Sequence, residues 1–209
     1  MCGIFGFLTQ SVADIPDLEV LRSMRDLLTH RGPDDQGEFT RPLDERGPFV
    51  FLGHRRLSII DLAGGHQPLS NEDGTVWVIF NGEIYNFKEL RNQLEAQGHR
   101  FKTNSDTEVI VHAYEEYQEN CFQKFNGMFA IAIWNESGKR LILARDRLGK
   151  KPLYYGSTNG SFVFASELKA ILTCPHFSRR VDPLSFIKYL FFEYVPNPHT
   201  IFRDAKKIP

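Results

Sequence analysis

A chain of 209 residues, 42% hydrophobic and 24% charged, can bury one sizeable core or two small domains, and its composition is that of a globular protein. A net charge of −1, with neither sign massed, gives no electrostatic footprint for nucleic acid. No apolar run approaches the ~20 residues of a membrane span, and no signal-peptide pattern precedes Cys2. The three cysteines (Cys2, Cys121 and Cys174) share no metal-type spacing and leave an odd thiol, which argues against a disulfide scaffold and for a reducing cytosol. The seven histidines are scattered without ligand spacing, so no metal site is expected, and the 18 phenylalanines speak for core or pocket wall.

Along the chain, strand-like and helix-like segments alternate. Ile4 to Leu8 is apolar and predicts a strand that pins Cys2 at the end of a sheet. Leu18, Leu21, Met24, Leu27 and Leu28 recur at helical spacing between Asp17 and His30, and Arg31-Gly32-Pro33-Asp34-Asp35 is turn chemistry. Residues 49–52 and 76–80 read as strands. Asn86 followed by Glu89 is a capping-box pattern opening a helix with Leu90 and Leu94. A second helix spans Asp106 to Tyr117, presenting Val109, Ile110, Ala113 and Tyr117. Beyond Cys121 the texture is β: 128–134 and 141–144 flank a turn at Glu136-Ser137-Gly138, and 152–155 and 162–165 flank Asn159-Gly160. Asp182-Pro183 opens a last helix. Paired strands with helices between the pairs suggest two stacked sheets covered by helices. Residues 194–209 read as the start of a linker.

The chemistry concentrates at a few positions. If Met1 is removed, Cys2 carries both a thiol and a free α-amine, whose reference pKa of about 7.7–8.0 suits a general base. The alternative is a buried cysteine whose Met1 stays. A thiol attacking a carboxamide needs donors for the developing oxyanion, and Asn81 with the Gly82 backbone N–H would supply them. Glu83 beside them suits an ammonium group, although Asn81-Gly82 taken alone reads first as a hairpin turn, for which Asn-Gly is the strongest short signal. Arg55 and Arg56 stand ahead of an apolar strand, Leu57 to Ile60, and at most one of them is expected to grip a substrate carboxylate bidentately. Asp106 begins a helix, where the dipole favours a carboxylate, and also suits a site. His30, His54 and His66 are expected to be structural, in turn-rich stretches. Phosphate-binding glycine loops are absent, so nothing here speaks for ATP.

Taken jointly, Met1-Cys2-Gly3-Ile4-Phe5-Gly6, His30-Arg31-Gly32-Pro33-Asp34, Arg56-Leu57-Ser58-Ile59-Ile60-Asp61, Asn81-Gly82-Glu83-Ile84-Tyr85-Asn86 and Ser105-Asp106-Thr107-Glu108 resemble the class II glutamine amidotransferase domain. Phe125 to Ala130 and Ala144 to Tyr155 continue the likeness, which covers nearly the whole chain. Within that family the chain is most similar to the glutamine-hydrolysing asparagine synthetase type. The resemblance implies an α+β fold of the N-terminal-nucleophile hydrolase kind, a four-layer αββα sandwich. It implies that Cys2 attacks the side-chain amide of L-glutamine, forms a thioester, and releases ammonia and then glutamate. Asn81 and Gly82 match the oxyanion hole. Arg56 matches the carboxylate anchor, with the backbone of Leu57, Ile59 and Ile60 alongside. Glu83 and Asp106 match the contacts to the substrate amino group, and Arg31 matches a residue near the nucleophile.

Such synthetases also carry a C-terminal domain that binds ATP and magnesium, and nothing resembling it lies in this sequence. The expected organisation is therefore a glutaminase domain over residues 2–193 and a linker from 194. No cofactor is expected in this domain, ATP and Mg belonging to the synthetase part. A synthetase domain in cis or a synthetase partner is expected to receive the ammonia, and a second copy of the chain is a further candidate partner. Neither nucleic acid nor membrane is expected as a partner, and the expected compartment is cytoplasmic. Two other readings differ in class: a catalytically silent docking module, and an amidase acting on peptides or β-lactams.

Overall fold

Period-two alternation in one short segment fixes how the layers stack. In β1 (Gly3–Thr9), Ile4 and Leu8 face one side while Phe5 and Phe7 face the other, and both sides are apolar. A strand of that kind must be covered twice. The computed structural model describes residues 1–209 except Arg46, Ile59, Ile60, Leu62 and Ala63. In it β1 lies inside a six-stranded sheet of order β10-β8-β9-β1-β3-β2, against a four-stranded sheet of order β4-β5-β6-β7. The first sheet uses β2 (Asp35–Arg41), β3 (Phe49–Arg56), β8 (Tyr154–Thr158), β9 (Ser161–Ala165) and β10 (Ala205–Lys207). The second uses β4 (Leu69–Ser70), β5 (Val76–Ile84), β6 (Gly127–Asn135) and β7 (Arg140–Arg145). All the strand pairs are antiparallel.

Three apolar clusters hold the layers. Between the sheets lie Ile4, Val50, Leu52, Ile79, Trp134 and Phe164. Outside the first sheet, α1 (Leu18–Asp26) and α5 (Leu168–Leu172) cover Phe5, Phe7 and Phe51 with Leu21, Met24 and Ile171, joined by Leu28 from the turn after α1. Outside the second, α2 (Phe87–Ala96) and α3 (Asp106–Tyr117) set Leu90, Leu94, Val109, Ile110 and Ala113 against Val78, Phe80 and Ile131. Each fully buried side chain of this size contributes about 1.5–3 kcal/mol. The short α4 (Cys121–Lys124) leads into β6, and α6 (Pro183–Phe192) follows α5. The result is helix, sheet, sheet, helix, the four layers expected.

Several local expectations change. β3 does not stop at Leu52: His54, Arg55 and Arg56 continue it, because β1 pairs on one side (Gly3 with Arg55) and β2 on the other (Asp35 with Arg56). β5 likewise runs through Asn81 and Gly82, which pair with Ala130 and Phe129, so Asn81-Gly82 is not a hairpin turn. Asn86 stands at the N-cap of α2 without a side-chain cap bond. Its amide instead donates to the Lys124 carbonyl (3.0 Å) and accepts from the Asn126 N–H (2.9 Å). At α6 the Asp182 carboxylate does cap, accepting from the Ser185 N–H at 3.0 Å. Within the segment expected to open a linker, β10 pairs with β8 along Ala205–Lys207.

Candidate active site

Strand parity decides which polar residues meet. Cys2 shares parity with Ile4 and Asn81 with Ile79, so both side chains aim between the sheets. There they line a cleft with about 620 Å³ of empty space, open to solvent, together with Arg56, Leu57, Gly82, Glu83 and Asp106. Every described residue of the sequence-derived set is thus in one place. Ile59 and Ile60 lie outside the described residues.

Cys2 is half-buried. Its Sγ accepts from the Leu57 N–H at 3.4 Å and its thiol donates to the Leu57 carbonyl at 3.6 Å. Burial pushes the thiol pKa up, against the Leu57 hydrogen bond and the positive charges nearby, so near neutrality the group is a thiol and needs a base. The terminal ammonium of Met1, which also lines the cleft, is pushed below its usual value, chiefly by burial. Arg31 holds this end of the chain: Nε donates to the Cys2 carbonyl (3.0 Å) and Nη1 to Glu167 Oε1 (2.9 Å). Burial opposes ionisation of Glu167, yet its bonds from Arg31, His30 and Lys169 hold it down at about 2.

Asn81 is 1% exposed, and neither its Oδ1 nor its Nδ2 has a hydrogen-bond partner. A buried amide left unpaired costs about 1–3 kcal/mol, so its orientation into the cleft calls for a reason. The Gly82 N–H follows from the ladder. The Phe80 N–H donates to Gln67 Oε1 (2.7 Å), its carbonyl accepts from His54 Nε2 (3.1 Å), and the Ile84 N–H donates to Asp106 Oδ2 (3.0 Å). Alternate residues of a strand point their polar groups to the same edge, so Gly82 presents its N–H there, between Gln67 and Asp106. A Cβ at Gly82 would stand 2.2 Å from the Met128 carbonyl oxygen, so only glycine fits.

Parity also separates the two arginines. Arg55 turns to the helical side, donating to the Gly32 carbonyl (3.1 Å) and to Gln36 Oε1 (2.5 Å). Arg56 turns into the cleft, where its Nη2 donates to the Asp61 carbonyl at 2.5 Å. A Cβ at Gly65 would come within 2.3 Å of that Nη2, so the backbone there leaves room for the guanidinium alone. Asp106, at the first position of α3, is 5% exposed. Burial raises its pKa to about 6, with a further contribution from Glu83 and against the bond from the Ile84 N–H.

Three residues that sequence reasoning missed shape the site. Asp61 ties two loops together by accepting from the Gly64 N–H (2.9 Å) and the Asn104 N–H (2.8 Å), which hold its carboxyl below the usual range. Gln67 donates to Thr107 Oγ1 at 3.1 Å while accepting from Phe80. Lys151, 6% exposed, lines the cleft. Local spacing gave none of the three a role in the site, although Asp61 and Lys151 fall within segments that carry the family likeness. His54, expected in a turn, is instead a buried strand residue joining the two sheets, and burial lowers its pKa to about 3, so it stays neutral. Among the described residues no helix is long and apolar enough to cross a membrane.

Comparison with known proteins points to one family. The chain is 45% identical to "Asparagine synthetase [glutamine-hydrolyzing] 1" of Bacillus subtilis (strain 168), over all of this chain and 32% of that protein. It is 33% identical to "Putative asparagine synthetase [glutamine-hydrolyzing] 2" of Methanocaldococcus jannaschii, over all of this chain and 42% of that protein. The chain therefore spans about a third of the length of the first of these relatives. Among solved structures it resembles the glutamine phosphoribosylpyrophosphate amidotransferase of B. subtilis, with a TM-score of 0.65 and 25% identity over 87% of this chain and 46% of that one. A profile described as "Glutamine amidotransferase domain" matches residues 1–209. The chain belongs to the class II glutamine amidotransferase domain family, on an N-terminal-nucleophile hydrolase fold.

Proposed function

We propose that this chain hydrolyses L-glutamine to L-glutamate and ammonia through Cys2, as the glutaminase part of an asparagine synthetase-like enzyme. The observation that carries the reading is the buried, unpartnered Asn81 amide in the same cleft as the Cys2 thiol. An oxyanion is the ligand that such a donor lacks.

Removal of Met1 would place the α-amine on Cys2. Burial that already lowers the terminal amine favours its neutral, basic form near pH 7. The amine takes the thiol proton as Sγ attacks Cδ of glutamine. The carbonyl π electrons move to oxygen, and the oxyanion is held by Asn81 Nδ2 and the Gly82 N–H. The tetrahedral species collapses, the C–N bond breaks, and the ammonium gives its proton to the leaving nitrogen, so ammonia departs. Water then attacks the thioester, losing its proton to the amine. The second oxyanion collapses, the C–S bond breaks, and the thiolate recovers the proton as glutamate leaves. Arg56 grips the substrate α-carboxylate with its planar fork, with the backbone of Leu57 alongside it, and Asp106 and Glu83 hold the α-ammonium. Arg31 fixes the Cys2 carbonyl so that the nucleophile starts in place.

In this scheme the domain itself uses no cofactor. ATP and magnesium are assigned to a synthetase part, in cis or on a partner, that activates a carboxylate and takes the ammonia in the cytoplasm. The length of the relatives supports such a part. So does the exposed apolar face of α6, where Leu184, Ile187, Leu190 and Phe191 are 58%, 60%, 65% and 79% exposed. Hydroxylamine tests the thioester. Added with glutamine, it should divert the acyl group to γ-glutamyl hydroxamate at the expense of glutamate, and only with Cys2 present. Turnover without hydroxamate would contradict the covalent route.

A further inference from the structure

On the outer helical layer, away from the cleft, two imidazoles and a carboxylate converge. His99 follows the C-terminus of α2, while His112 and Glu115 stand on one face of α3. Glu115 Oε2 lies 3.0 Å from His112 Nδ1 and 3.8 Å from His99 Nδ1. One donor atom from each of the three residues falls within 4.8 Å of the others. Tetrahedral zinc, with bonds of about 2.0–2.1 Å, wants its ligands roughly 3.4 Å apart. We propose that His99, His112 and Glu115 form a binding site for a divalent cation of the zinc class, with solvent as fourth ligand.

The surroundings argue for ligands and not merely for an ion-pair cluster. Each imidazole turns Nδ1 toward the shared carboxylate and has a second carboxylate behind its Nε2. His112 Nε2 is 3.7 Å from Glu108 Oε1, and His99 Nε2 is 3.4 Å from Glu116 Oε2. The other oxygen of Glu115 accepts from Asn71 Nδ2 at 2.7 Å. Such backing fixes tautomer and ring orientation, and it is what orients the ligands of metal sites. The rings are further held by packing, with His112 edge-on to Phe101 (4.5 Å between centroids) and 5.0 Å from His99. A proton serves one imidazole–carboxylate pair at a time, whereas one divalent ion serves all three donors together. Two histidines and one glutamate are a known zinc donor set. Entry is open, since the His99 and Glu115 side chains are 17% and 26% exposed. The sequence hid the site because its ligands come from two elements without motif spacing.

An ion here would tie the α2–α3 connection to α3. Glu108, behind His112, also accepts from the Lys102 N–H (2.8 Å) and the Thr103 N–H (2.7 Å), just before Asp106. The proposal stands apart from the glutaminase reading and is tested by binding alone. Cys2→Ala protein, which lacks the competing reactive thiol, is stripped with chelator and titrated with Zn2+ against a chromogenic chelator; Co2+ serves as spectroscopic probe. One Zn2+ per chain, a raised melting temperature and four-coordinate Co2+ bands are expected. His99→Ala and Glu115→Gln, each shown folded by circular dichroism, should weaken Zn2+ at least about tenfold, and Glu116→Gln should do so by about 10–100-fold through the outer shell. No stoichiometric Zn2+, or binding undiminished across these variants, would overturn the site.

Discussion

Replacing Asp106 by Asn separates the cost of this carboxylate to the fold from its use in binding. Its pKa stands at about 6, raised from 3.8 chiefly by burial. The folded chain therefore holds this proton more tightly than the unfolded chain does, and ionisation works against folding. The penalty is absent below pH 4, grows between pH 4 and 6, and is complete above 6. A shift of that size corresponds to about 3 kcal/mol. Asn carries no charge and can still accept from the Ile84 N–H through its Oδ1. Urea denaturation at a series of pH values should therefore show Asp106→Asn close to wild type near pH 4 and more stable by up to about 3 kcal/mol at pH 7–8. In the proposed glutamine complex the same substitution would remove the charge opposite the ammonium, a contact worth about 1.5–3 kcal/mol, so KM should rise roughly 10–150-fold. In the wild type, KM should climb as pH falls below about 6 and Asp106 protonates. A variant no more stable at pH 8 than at pH 4, relative to wild type, would refute the burial argument. An unchanged KM would remove Asp106 from the site.

Other consequences follow the same geometry. Asn81→Ala should lower kcat for glutamine about 10²–10³-fold with little change in KM. Because the amide is buried and unpartnered, urea melts should show no loss of stability from that change, and a clear loss would mean that Asn81 is structural. Arg56→Lys keeps the charge but not the fork, so KM should rise about tenfold or more while kcat holds; equal KM values would contradict the carboxylate clamp. Burial pushes the Cys121 and Cys174 thiols to about 12 and 11, so native protein should be alkylated at Cys2 alone and denatured protein at all three. Modification of either buried thiol in the native state would contradict the packing. The apolar face of α6 should cause self-association that Leu190→Glu reduces, measured by light scattering; a strictly monodisperse wild-type monomer would count against an exposed contact face.

Much of the site is written locally. Cys2 stands directly before the short apolar strand β1, so its position at a sheet end was legible, as were the apolar runs of β5 and β6. What was not legible is set by partners. His54-Arg55-Arg56 looks nothing like a strand, yet pairing to β1 and β2 on both sides makes it one. That pairing sends Arg55 and Arg56 to opposite faces, a distinction composition cannot make. Asn81-Gly82 carries a turn signal that the continuous pairing of β5 with β6 overrides. Polar β2, at the end of the sheet beside β3, has no apolar alternation to announce it. Gln67 and Lys151 line the cleft and Asp61 reaches across to the Asn104 N–H, contacts that no local spacing encodes.

The proposed chemistry depends above all on Cys2 as the nucleophile of a glutaminase. Glutamate release from L-glutamine tests it most directly, using protein whose N-terminus has been checked by intact mass, beside Cys2→Ala. Turnover is expected in protein lacking Met1 and none in the variant, with circular dichroism unchanged. Equal turnover in Cys2→Ala would contradict it.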